Sequence, residues 1–95
     1  MKFTAIIGLN LRRVGSKELV LLTNVQGETA EFERTHCHVE INANLHRLLD
    51  RNVRNNRNRL VIQFEADIVE YYKPAELGYS ETLKRIRQIK ILGKA

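Results

Sequence analysis

The stretch from Arg51 to Arg59 holds the densest chemistry in the 95-residue chain: Arg51, Arg54, Arg57 and Arg59 are interspersed with four asparagines and no acid. Guanidinium groups grip phosphates bidentately, and carboxamides donate and accept at base edges, so this composition suits a nucleic-acid backbone. A second basic set follows near the end of the chain, with Lys84, Arg85, Arg87, Lys90 and Lys94. Tyr71, Tyr72 and Tyr79 lie around Lys73-Pro74 and could stack bases, an interaction of about 1–3 kcal/mol per base. Both features also have a plainer use. Charge runs keep a surface solvated, and tyrosines pack at sheet edges with their hydroxyls in water.

Other chemistry has less to stand on. His36 and His38 would leave one face of a strand, with His46 as a further candidate, but Cys37 between them points to the opposite face and a tetrahedral zinc set is not assembled. No metal and no cofactor are therefore expected. Glu65, Asp67 and Glu70 are carboxylates on a strand, suited to matching nearby cations. Ser16 and Ser80 sit in turn-like contexts without a motif, and the five glycines are scattered. Nucleophile, base and phosphate-cradling loop are all missing as patterns, so the reading is of a protein that is not an enzyme.

Composition agrees with a binding role. Sixteen Lys and Arg against eleven Asp and Glu give a net charge of +5, which draws polyanions: nucleic acid, or an acidic protein partner. A single domain over 1–95 is expected, too small to enclose a deep cavity and so acting through its surface. With one cysteine no internal disulfide can form, and an oxidising compartment is not needed. Polar and basic Asn10, Arg12 and Arg13 break the N-terminal apolar run before it can resemble a signal peptide, and no run approaches a membrane span. A cytoplasmic location and no membrane partner are the expectations.

These side chains must be positioned by short elements. Phe3, Ala5, Ile7, Leu9 and Leu11 alternate with polar residues over Lys2 to Arg13, predicting a half-buried strand. Gly15-Ser16 turns the chain into a second strand, Lys17 to Gln26. Polar Gln26-Gly27-Glu28-Thr29 turns it again, and a third strand runs from Glu33 or Thr35 to Ile41 with Cys37, Val39 and Ile41 on one face. Asn42 is placed to cap a short helix over Ala43 to Arg51 whose stripe is Leu45, Leu48, Leu49 and Val53. The Arg/Asn run then reads as loop, because repeated asparagine competes with both helix and strand. From Leu60 to Tyr72 the alternation is the clearest in the chain. Pro74 ends that strand, and Lys73 to Ser80 reads as a loop. Thr82 to Leu92 has helical spacing in Leu83, Ile86 and Ile89 but strand-like isoleucine density, and a strand is preferred. On such a strand Arg85 and Arg87 would share a face with Leu83 and Ile89. Phe3 and Phe64 belong to the core on this pattern, and Phe32 is left open.

Three strands, a helix and two strands is the layout of a five-stranded, partly open Greek-key barrel of the OB-fold type, mainly β with one short helix. The runs Leu21 to Val25, Thr35 to Val39, Ile62 to Lys73, Tyr79 and Leu83 to Lys90 resemble small OB-fold-like proteins of phages and mobile elements, over most of the chain. The sequence departs from that pattern at His38, where Trp is common, and at Thr35, where an acid is common. The resemblance implies an OB-like barrel and nucleic-acid binding. On this reading single-stranded DNA or RNA is held by Arg51, Arg54, Arg57, Arg59, Lys73, Arg85 and Arg87, with Tyr71 and Tyr72 stacking bases. A module docking on an acidic protein, and a homo-oligomer joined through sheet edges, are the alternatives.

Overall fold

The computed structural model describes residues 1–29, 32–54 and 59–95. Five strands are present: β1 Lys2–Val14, β2 Lys17–Gly27, β3 Glu33–Glu40, β4 Leu60–Lys73 and β5 Gly78–Lys94. One α-helix, α1 Ala43–Leu48, lies between β3 and β4. All strand pairs are antiparallel and form a single sheet in the order β3-β2-β1-β4-β5. The fold is thus mainly β with one short helix, as the alternation predicts.

The sheet curls so that its two edge strands, β3 and β5, approach each other, yet only side chains reach across. Arg34 Nη2 lies 3.3 Å from Glu81 Oε1, Thr82 Oγ1 donates to the His38 carbonyl at 3.2 Å, and Lys84 Nζ is 4.0 Å from Glu40 Oε2. No backbone ladder pairs these two edges among the described residues, so the sheet stays open there.

The core lies on the concave face. Phe3, Phe32 and Phe64 are fully buried, Phe3 meeting Phe32 edge-on and Phe64 stacked, each with ring centroids 5.6 Å apart. Burying side chains of this size contributes about 1.5–3 kcal/mol each, so Phe32 belongs to the core although alternation did not place it. Leu9 and Leu11, expected on the inward face, are exposed. β1 pairs with β4 only up to Ile7↔Leu60, and between Ile7 and Leu11 its register with β2 shifts, so beyond Ile7 the strand has lost its β4 neighbour and its regular alternation.

Several expectations about boundaries are corrected. Asn42 does cap α1, its Oδ1 accepting from Leu45 N at 3.0 Å. The helical backbone does not end at Arg51, however, but continues as a π-helical segment, Leu49–Arg54. Burial of Leu45, Leu48 and Leu49 along one side of the helical stretch overrides the asparagine signal at Asn52. Lys73 to Ser80 is not a long loop either: β4 includes Lys73, a 3₁₀ turn covers Pro74–Glu76, and β5 begins at Gly78.

The ambiguous last segment is a strand, and its helical spacing has a specific cause. From Asp67↔Lys84 to Glu65↔Arg87, β4 moves two residues while β5 moves three, and the same mismatch recurs up to Gln63↔Lys90. Each mismatch is a β-bulge with one residue in the left-handed region, Arg85 at φ 56° and Gln88 at φ 54°. Each extra residue restores the inward phase three positions on, so Leu83 and Ile86 are buried and Ile89 packs partly against the core. Arg85 therefore does not share the face of Leu83 and Ile89, as plain alternation would have it. It is exposed, and Ile86 takes the inward place.

Candidate functional site

The bulges on β5 and the end of α1 shape a groove between the two elements. It is lined by Asn44, Arg47, Leu48 and Arg51 on the helical side and by residues 88–91 on β5, with a volume of about 510 Å³. Two local features fix its walls. The Asn42 and Asn44 side-chain amides both donate to the Ile86 carbonyl, at 2.8 and 3.2 Å, which ties the helix start to the first bulge. Leu45 and Leu48 are buried, which turns the i, i+4 pair Arg47 and Arg51 outward on one helix face.

The groove is electrostatically one-sided. Arg47, Arg51 and Lys90 border it, and among the described residues no carboxylate lines it and none of the three makes an ion pair. Like charges four residues apart on a helix cost a few tenths of a kcal/mol, about 0.2–0.5. Among the described residues Arg47 and Arg51 bear that cost without an ion-pair partner, while His46 on the same helix has one, its Nδ1 3.0 Å from Asp50 Oδ2. Leu48, Ile89 and Ile91 supply an apolar floor, and the exposed Gln88 amide stands at the rim.

The remaining residues singled out in the sequence go to other places. Arg85 and Arg87 are both held by Asp67: Arg85 Nε donates to Oδ2, and Arg87 Nη2 lies 3.4 Å from Oδ1. The Arg85 hydrogen bond, with the nearby Arg87 charge, holds the Asp67 carboxyl below the usual carboxylate range. The charge-matching role read for Asp67 is thus filled, and these two arginines are partly neutralised. Arg59 is exposed, with its stem lying over Gly8, where a Cβ would come within 3.0 Å of Arg59 Cγ. It borders a different hollow, with Ile6, Leu9 and Thr23.

Tyr71, Tyr72 and Lys73 sit at the far end of the β4–β5 hairpin. Tyr72 and Tyr79 rings are 5.4 Å apart, and Lys73 Nζ is 3.6 Å from Glu76 Oε1. Tyr79 and Lys90 are eleven residues apart on β5, on the order of 30 Å, much of the 40 Å length of the molecule. Rings and cations therefore do not form one cradle. Of the expected cations among the described residues, Arg51 alone borders the groove. Arg57 and the Arg54 side chain lie outside the described residues.

Sequence reasoning missed Arg47 and Gln88. Arg47 was within reach of the sequence, since the helix expected over Ala43 to Arg51 already holds its i, i+4 relation to Arg51. Gln88 had no such signal, because its position depends on a bulge. Among the described residues no group of three His, Cys, Asp or Glu could hold a metal ion, and no helix is long and apolar enough to cross a membrane. His36 and His38 are exposed while Cys37 is buried between them, and burial pushes its thiol up. Comparison with protein-family models, with curated proteins and with solved structures finds no match to this chain.

Proposed function

We propose that this chain is a non-enzymatic OB-like domain that holds single-stranded nucleic acid by its sugar-phosphate backbone in the groove between α1 and β5. The observation that carries the reading is the set Arg47, Arg51 and Lys90, three cations around one trough that no carboxylate lines among the described residues. Phosphodiesters are the polyanion that such spacing suits, and the floor of Leu48, Ile89 and Ile91 offers base faces an apolar surface. A concave trough favours one strand over a duplex, whose grooves take a protruding helix or ribbon.

The OB-like assignment rests on topology. The order β4-β1-β2-β3 is that of a Greek key, with β5 added beside β4 and a helix between β3 and β4. The side-chain contacts between β3 and β5 are where a barrel of this type would close.

The test is an amide-resolved NMR titration with a ten-nucleotide oligo-dT, an oligo-U and a duplex of equal length. Shifts are expected at Arg47, Arg51 and residues 88–91 with either single strand, and weaker ones with the duplex. Absence of shifts, or shifts confined to the hairpin tips or the β1–β2 outer face, overturns the reading.

A further inference from the structure

Beside its three cations the α1–β5 groove presents two carboxamides, those of Asn44 and Gln88. Their free atoms differ. Asn44 Nδ2 donates to the Ile86 carbonyl at 3.2 Å. A carbonyl oxygen only accepts, so this bond fixes which end of the amide faces β5 and leaves Oδ1 as the free end. Gln88 is exposed, and among the described residues neither its oxygen nor its nitrogen has a hydrogen-bond partner. Both amides belong to one short piece of β5, because Asn44 is tied to Ile86 and Gln88 follows two residues later, in the second bulge. Gln88 holds φ 54°, in the region that favours glycine, so a strained backbone position carries a long hydrogen-bonding side chain at the groove wall.

Arg and Lys side chains only donate. Among the described residues that line the groove, the neutral side chains therefore offer a ligand two free acceptors, Gln88 Oε1 and Asn44 Oδ1, and one free donor, Gln88 Nε2. The complementary base edge has two donors and one acceptor. Guanine has that set along its Watson–Crick edge, where N1–H and the 2-amino group donate and O6 accepts. Cytosine, thymine and uracil each bring one donor group and two acceptors, and adenine one donor group and one ring acceptor. Guanine O6 and N7 are also the base atoms that Arg and Lys most often contact. We propose that the groove selects guanine among the bases of a single strand, with Gln88 as the specificity-determining residue. This rests on the groove holding a single strand and adds which base is read there. Gln88 Nε2 donates to O6 and Oε1 accepts from N1–H, while Asn44 Oδ1 accepts from the 2-amino group. The cations hold the backbone whatever the base.

Fluorescence anisotropy with ten-nucleotide oligo-dT, and with the same strand carrying one central guanine, hypoxanthine, adenine or cytosine, tests the proposal. The guanine strand is expected to bind about tenfold more tightly than oligo-dT, near the lower end of what one bidentate amide–base pair discriminates. Hypoxanthine lacks the 2-amino group and is expected to fall between the two, with adenine and cytosine close to oligo-dT. Gln88→Gly suits the left-handed backbone and removes the amide. It is expected to bind oligo-dT as the wild type does and to lose the guanine preference. Gln88→Ala repeats that arm if the first variant fails to fold by circular dichroism. Equal binding of all the strands, preference for another base, or a guanine preference that survives both substitutions overturns this inference and leaves the proposed function standing. Hypoxanthine bound as tightly as guanine overturns the part given to Asn44. Failure of every strand to bind, oligo-dT included, overturns the proposed function and this inference with it.

Discussion

Removing the groove cations should change how binding responds to salt, and by an amount fixed by the geometry. Each phosphate neutralised on a single strand contributes about −0.7 to the slope of log affinity against log salt, so three groove cations give a slope of about −2. Between 50 and 200 mM salt, wild-type affinity for oligo-dT should then fall by roughly fifteen-fold on that slope. The double variant Arg47→Ala/Lys90→Ala keeps Arg51 alone, and its loss over the same range should shrink to about threefold. Arg85→Ala/Arg87→Ala is the contrast, because Asp67 already engages both guanidiniums. That variant should keep the wild-type slope. Fluorescence anisotropy with a labelled oligonucleotide at four salt concentrations reads all three. A slope that drops in the Arg85/Arg87 variant and persists in the Arg47/Lys90 variant would refute the assignment of the groove.

Three further outcomes follow from the fold. Asn42→Ala removes both the cap to Leu45 and the bond to the Ile86 carbonyl, and should cost about 1–2 kcal/mol in urea denaturation; Asn42→Asp keeps the acceptor for Leu45 and should fall between the two. Gln88→Gly relieves a left-handed residue and should raise stability by about 0.5–1 kcal/mol after the entropic cost of glycine, so a lower melting temperature would count against the bulge. Asp67 has a folded pKa below its unfolded one, so its contribution is complete above the usual carboxylate range and disappears as pH falls through the depressed value. Acid titration of Asp67→Asn should accordingly show a shallower loss of stability at the low-pH end, and an unchanged profile would exclude that linkage.

How far the site could be read from sequence is clearest along β5. Isoleucine density identified a strand, but the three-residue spacing of Leu83, Ile86 and Ile89 could be either a helix or a bulged strand. One-dimensional periodicity does not separate them. The pairing with β4 does, since its register steps between Asp67 and Gln63 require two additional residues in β5. The same bulges bring Gln88 and Lys90 to the groove rim and turn Arg85 toward Asp67. A list of basic residues therefore named the right strand without ranking its cations. At the helix the error ran the other way: repeated asparagine is a true local preference, and burial of Leu48 and Leu49 outweighs it for one further turn.

The sequence by itself determined what local chemistry controls: where the chain turns, which residues of β4 and of β1 up to Ile7 face inward, the cap at Asn42, and the excess of positive charge. Those features depend on neighbours within a few positions. Only the tertiary structure decided which cations remain uncompensated, because an ion pair such as Asp67 with Arg85 joins residues on different strands. It also decided that Tyr72 and Tyr79 lie at the other end of β5 from Arg47, Arg51 and Lys90. Separation in space is set by sheet register and by the length of an extended strand, and the order of residues carries neither.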